Sequence, residues 1–252
     1  STPEPVPVVC EESVDRKTLR LRFVTEPPQV FVLPQEKVIW GFDAAYQKGQ
    51  TLFTVKYTPA INPKQPLSGI RILLDPGHHP DTGALGPRGT EERAANLAMC
   101  QALAPLLKNE GAVVELSREN DPLELNDRQK RFHDAKPDLI VSIHHNSSPD
   151  NEDPRVRFGT QDFYLFPHSQ PLAKSVHRAL LPVVQSQDLG SVQRNLVVTR
   201  FPCAPSILVE VTYLIIPEEE KKVLTAEYRQ QAAEAISDGI QKFLLGESGP
   251  KR

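Results

Sequence analysis

The chain has 252 residues, 39% of them hydrophobic, and 29 Lys and Arg stand against 32 Asp and Glu for a formal net charge of -3. That length allows one large domain or a domain with a smaller attachment, and the even charge balance leaves no basic footprint for nucleic acid, whose binding depends on neutralised phosphates. The longest apolar runs, such as Ile70 to Leu74 and Ser206 to Val211, are strand-sized and fall far short of the ~20 residues that a membrane helix requires.

Residues 1–16 alternate Pro with Val and Glu, a composition that favours extended, poorly packed backbone and reads as a linker. The opening residues, Ser1 to Pro7, have neither the positive start nor the apolar core of a signal peptide, so a leader is expected to have been removed or to lie outside the chain. From Lys17 to Thr58 the pattern is strand-like. Leu19, Leu21 and Phe23, then Val30 and Val32, then Val38 and Trp40, then Leu52, Thr54 and Lys56 recur at period two between Pro and Gly. This predicts a small β element of about four strands, with Thr58 to Ser68 as a Pro-rich crossing loop, over residues 17–66 in all.

Beyond it the chain changes character. Apolar runs at Ile70 to Leu74, Ala112 to Leu116, Leu139 to Ile143, Phe163 to Phe166, Leu196 to Thr199 and Ile207 to Val211 alternate with helical patterns. Such alternation predicts an α/β domain over residues 67–246, a mostly parallel twisted sheet of about six strands flanked by helices, with 247–252 as a tail. Leu97, Cys100, Ala104 and Leu107 recur at helical spacing, as do Leu172, Val176, Leu180 and Val183, and Tyr228, Ala232, Ile236, Ile240 and Phe243. Pro105 and Pro182 are expected to kink or shorten the first two of these helices. Pro217 followed by Glu218, Glu219 and Glu220 reads as a helix start, the carboxylates facing the positive end of the dipole. Cys10, Cys100 and Cys203 lack any CxxC spacing, which leaves a thiolate metal cluster or redox pair without support.

Four of the seven histidines stand in two pairs, His78-His79 and His144-His145, each directly after an apolar strand, and Glu210 lies in a third such strand. Open α/β sheets bind ligands at the carboxyl ends of their strands. Two imidazoles and a carboxylate make a catalytic zinc set with one position left for water, and a further carboxylate can take that water's proton. From spacing alone the metal reading stands level with hydrogen-bonded structural histidines, because short His and Glu patterns recur by chance.

The run Leu74-Asp75-Pro76-Gly77-His78, then Gly83-Ala84-Leu85-Gly86, then Glu92 with Asn96-Leu97-Ala98, resembles the opening of the zinc-dependent N-acetylmuramoyl-L-alanine amidase family. Leu116-Ser117-Arg118, Asp138 to His144, Pro205 to Glu210 and Pro217 to Glu220 resemble its later motifs in the same order. The resemblance implies one Zn2+ held by His78, Glu92 and His144, with Glu210 as the catalytic carboxylate. Glu91 is the rival for the second ligand; Glu92 is preferred because it stands before Asn96-Leu97 as the family's ligand does. His79 replaces a residue that is usually glycine and His145 one that is usually small, which leaves open an altered surrounding of the metal or a rearranged ligand set. His133, His168 and His177 fall outside the motifs and read as surface or packing residues.

The implied reaction is hydrolysis of the amide between N-acetylmuramic acid and L-alanine in peptidoglycan, which implies a periplasmic or extracellular setting. A non-catalytic wall-binding module and a zinc hydrolase of another cell-wall amide are the alternatives. The polar segment between Asn146 and Gly159 is too short for the blocking helix that some relatives carry, so an open site is expected. The N-terminal β element is left with three roles: binding wall polymer, docking a regulatory partner, or completing an upstream domain.

Overall fold

The computed structural model describes residues 8–23, 29–34, 37–47, 50–148, 152–156 and 158–247. Five strands come first: β1 (Val8–Glu12), β2 (Thr18–Phe23), β3 (Gln29–Val32), β4 (Ile39–Gln47) and β5 (Gln50–Tyr57). The α/β part follows as β6 (Arg71–Pro76), α1 (Glu92–Asn109), β7 (Val113–Leu116), α2 (Leu125–Ala135), β8 (Leu139–Asn146), β9 (Gly159–Tyr164), α3 (Gln170–Val184), β10 (Gln187–Gln193), β11 (Ser206–Tyr213), α4 (Pro217–Val223) and α5 (Ala226–Leu244).

Six strands form one sheet in the order β10-β9-β11-β8-β6-β7. Every neighbouring pair is parallel except β9 with β11. The central strands are buried on both faces, which is why β6, β8 and β11 read as nearly continuous apolar runs rather than alternating ones. One face, carrying Ile72, Leu74, Val141, Ile143, Val209 and Val211, packs under α1, α3 and α5. The other carries Leu73, Ile140, Phe163 and Leu208 against Phe132 of α2 and Phe201.

Two departures from the sequence reading have plain causes. Leu196 to Thr199 is not a strand: Val197–Thr199 is a 3-10 turn that buries Val198 against Phe132 and Phe201. The sixth strand is β10 instead, a polar edge strand with an irregular register between Asp188 and Ser191, so no apolar period marks it. Helix α2 anchors itself through only Arg128, Phe132 and Ala135 and is otherwise polar, which hid it from a search for hydrophobic period. Pro105 and Pro182, expected to kink or shorten their helices, lie inside them, α1 running on to Asn109 and α3 to Val184.

Residues 1–16 are not linker throughout. Val8–Glu12 is strand β1, paired antiparallel with β2, while residues 1–7 lie outside the described residues. β1, β2 and β3 form a three-stranded sheet and β4 with β5 a hairpin. Leu19, Leu21, Ile39 and Phe42 bury a small core that Phe166 of the α/β part completes. The element is seated at the amino-terminal edge of β8 and β11. The Trp40 indole donates to the Asp138 carbonyl (2.9 Å), the Phe42 N–H to the Pro202 carbonyl (2.8 Å), and the Trp40 ring stacks on Phe243 at 5.1 Å. Gly41 makes this seat possible, because a Cβ there would run into the backbone of Cys203. All three cysteines are free thiols, with Cys100 and Cys203 buried. No helix among the described residues is long and apolar enough to cross a membrane.

Candidate metal centre

At the opposite, carboxyl-terminal edge of the sheet the chain gathers residues from four elements. His78 follows the end of β6, Glu92 opens α1, His144 stands near the end of β8, and Glu210 lies on β11 directly opposite His144 in the parallel register. In-register neighbours present their side chains on one face, so this pairing sets Glu210 beside the histidine.

His78, Glu92 and His144 each offer one donor atom, and these atoms lie within 4.8 Å of one another. The Glu92 carboxylate sits between the two rings, Oε2 at 3.0 Å from His78 Nε2 and Oε1 at 3.0 Å from His144 Nδ1. The rings themselves stand 4.9 Å apart, edge to face. Two nitrogens and a carboxylate oxygen converging from distant stretches are a donor set of the kind that zinc takes. The residues present therefore fit such an ion.

Glu92 is held by more than the histidines. Its oxygens accept from the backbone N–H of Ala84 (2.8 Å) and His145 (3.1 Å) and from the Asn96 amide (3.2 Å). Burial alone would push its carboxyl upward, but the hydrogen bonds and charges of His144 and His78 outweigh that and hold it well below the usual carboxylate range. Gly83 lets the loop close this tightly, because it adopts φ +64° and a Cβ there would come within 2.5 Å of Glu92 Oε2. Glu91 points elsewhere, accepting from Arg93 Nε at 2.6 Å.

Asp81 accepts from His78 Nδ1 at 2.6 Å, which leaves Nε2 as the nitrogen facing Glu92. A carboxylate on the far side of a ligating imidazole fixes its tautomer and orientation. Burial pulls the His78 imidazole down, yet Glu92 and Asp81 together lift it above its ordinary value. Sequence reading passed over Asp81, although its position three residues after His78 was a usable signal. It also passed over Glu220. That residue is buried and accepts from the N–H groups of Arg88 and Thr90, so it holds the loop leading to Glu92. The Glu218 to Glu220 run is thus more than a charged helix start: Glu219, also buried, accepts from Thr212 Oγ1 at 2.7 Å.

The second histidines play supporting parts. His145 is fully buried, bonded through Nδ1 to Asn96 Oδ1 (2.8 Å), and burial drives its pKa down to about 4, so its ring is neutral. His79 reaches away, its Nε2 2.9 Å from the Asn120 carbonyl. Asn146 has its Oδ1 engaged by the N–H of Ser147 at 2.8 Å. Of the remaining histidines, His133 lies edge-on to Phe201, His168 pairs with Glu12 at 2.6 Å, and His177 contacts Asp188 at 2.8 Å.

Glu210 stands beside His144 in the register of β11 and β8. Its Oε2 is buried without a hydrogen-bond partner among the described residues. Burial first, then the charges of Glu92 and Asp162, push its carboxyl well above the usual range, with Arg194 opposing weakly. A buried carboxyl without a partner beside this donor set is a candidate for proton transfer.

A family model described as N-acetylmuramoyl-L-alanine amidase matches residues 72–242. The chain belongs to this family. The amidase is 31% identical over 187 residues to the Bacillus subtilis (strain 168) protein YqiI, covering 73% of this chain and 90% of the relative. It is also 31% identical over 198 residues to the N-acetylmuramoyl-L-alanine amidase LytC of the same organism, covering 74% of this chain but 39% of LytC. Among solved structures, the catalytic domain of the amidase CwlV from Bacillus (Paenibacillus) polymyxa var. colistinus superposes with a TM-score of 0.64 at 32% identity, over 69% of this amidase and 98% of that domain.

Proposed function

We propose that this amidase uses one zinc ion to hydrolyse the amide joining N-acetylmuramic acid to the L-alanine of the stem peptide in peptidoglycan, in the cell envelope. The observation that carries the reading is the convergence of His78, Glu92 and His144 with the orphaned Glu210 carboxyl in register beside them. A zinc ion held by the three donors would supply a Lewis acid for the scissile carbonyl and would lower the pKa of bound water to about 7.

The chain's own groups do the rest. Asp81 orients His78, while Asn96 and the N–H groups of Ala84 and His145 fix Glu92, so the donors stand preformed. Glu210 accepts the proton of the attacking water through Oε2 and returns it to the alanine nitrogen as the carbon–nitrogen bond breaks. In that role its carboxyl must stand ionised when the water attacks, and a cation among the three donors would favour that state by offsetting the negative Glu92.

The direct test joins metal analysis to product analysis. Purified chain dialysed against zinc should hold one equivalent, and digestion of cell-wall sacculi should yield new alanine amino termini. Glu210→Ala should keep the metal and lose peptide release; full activity in that variant would rule out the proton role. Among the described residues of the segment between β8 and β9 there is no helix over the site. The zinc-loaded amidase is therefore expected to act on muropeptides with no second protein added.

A further inference from the structure

We propose that Arg118 is a positioning residue for the metal centre, whose guanidinium sets the spacing between His78 and Glu92, and that Arg128 seconds it at His78. The inference rests on the zinc reading above and deepens it.

Both arginines are buried, Arg118 at 6% exposure and Arg128 at 2%. Taking a guanidinium out of water is costly unless each donor finds an acceptor. Here a single carboxylate, Asp75, pairs with Arg128 and also accepts from Ser117 and Ser142. Among the described residues no carboxylate pairs with Arg118; its donors end on backbone carbonyls. Nε lies 3.0 Å from the Pro76 oxygen and 2.9 Å from that of His78. Nη2 reaches Gly77 at 2.7 Å and Arg93 at 3.0 Å, and Nη1 reaches Glu119 at 3.0 Å. Arg128 adds bonds to Pro76 (3.1 Å) and His78 (2.5 Å).

The choice of carbonyls is what points to the metal. One belongs to His78 itself, two to the residues before it, and one to Arg93, the neighbour of Glu92. A single planar fork therefore ties the loop that carries one donor to the helix start that carries another. The third donor is coupled to the same loop, since the Gly77 N–H donates to the Ile143 carbonyl just before His144. The loop also needs holding. His78 and His79 have φ of 62° and 77°, in the left-handed region that residues other than glycine avoid. Such conformations persist where surrounding bonds over-determine them. If the pocket needed only filling, apolar side chains of similar size would serve at least as well as buried arginines. What the guanidinium adds is direction: several acceptors fixed in one plane, which the flexible ammonium of lysine cannot reproduce.

The experiment compares Arg118→Lys with wild type and with Val176→Ala, a core variant on α3 that serves as a control for lost stability. Zn2+ affinity is measured by competition with a chelating dye, and the visible absorption of the Co2+-loaded protein is recorded. Arg118→Lys should weaken Zn2+ affinity by roughly ten- to a hundredfold, shift the cobalt bands, and at saturating zinc lower kcat with KM for a muropeptide unchanged. Val176→Ala should lower Tm and leave affinity and bands alone. Should Arg118→Lys fail to fold, Arg128→Lys is read in the same way, with a smaller expected shift because it contacts only the His78 side. A folded arginine variant with wild-type affinity and unshifted bands overturns the inference, as does equal weakening in Val176→Ala. Wild-type protein that binds neither metal overturns the zinc reading and this inference with it.

Discussion

The two edges of the six-stranded sheet both bury histidine beside glutamate, yet to different ends. At the carboxyl-terminal edge His78 and His144 face one Glu92 carboxylate, with part of each ring open to solvent, and the orphaned Glu210 stands next to them. At the amino-terminal edge His168 meets Glu12 with both side chains wholly buried, under a lid of Phe42 and Phe166 rings. The first pair is accessible, negative and surrounded by backbone donors, which suits a cation and a reaction. The second is closed and apolar around its rim, which suits adhesion of the N-terminal element. What separates the two contacts here is access, not residue type or a missing partner, since Glu12 Oε1 and His168 Nε2 are also buried without a hydrogen-bond partner among the described residues.

That contrast predicts which perturbations act on rate and which on stability. Glu210→Gln should show the largest effect, a loss of about 10²- to 10⁴-fold in kcat with the melting temperature held or raised, since a buried carboxyl without a partner is replaced by a neutral amide; calorimetry beside product release by chromatography reads both. At the other edge Trp40→Ala should destabilise by roughly 4 kcal/mol, losing the Phe243 stack and the bond to the Asp138 carbonyl, while the folded fraction keeps wild-type kcat. A large fall in kcat for that variant would show that the two edges are coupled. Glu12→Ala should cost about 3 kcal/mol in urea unfolding by leaving His168 buried alone, again with metal affinity unchanged.

The smallest effect concerns Asp162, fully buried on β9 and registered with Val209, so it faces the other side of the sheet from Glu210. Burial raises its pKa from 3.8 to about 6, against the opposing pull of His177. A carboxyl raised on folding binds more protons in the folded state, so its contribution is full below pH 3.8 and is lost as pH climbs through about 6. Unfolding free energies of wild type and Asp162→Asn from urea titrations across that interval should diverge by up to roughly 2 kcal/mol, the variant having the flatter profile. Parallel profiles would remove Asp162 from the account.

Much of the site was open to inspection in the primary structure, because parallel strands buried on both faces leave long apolar runs and their ends mark where ligands sit. His78, His144 and Glu210 each stand at such an end, and Glu92 at the start of the first long helix. The residues that stayed hidden are those whose signal is not periodic. β10 is a polar edge strand, α2 has three anchors, and Val8–Glu12 sits among prolines yet pairs with β2. Asp81 and Glu220 are acidic residues of loop and helix start, a type that is mostly solvated, and only their bonds to His78 and to Arg88 and Thr90 distinguish them.

By itself the order of residues determined the α/β class, the family and the positions at strand ends where chemistry would lie, since these follow from burial patterns and motif order along one dimension. Tertiary structure decided which carboxylate faces the histidines, that Arg118 and Arg128 are gathered around one loop, and that the N-terminal strands seat on the edge away from the metal donors. Those outcomes depend on contacts between segments far apart in the chain, whose geometry no local spacing encodes.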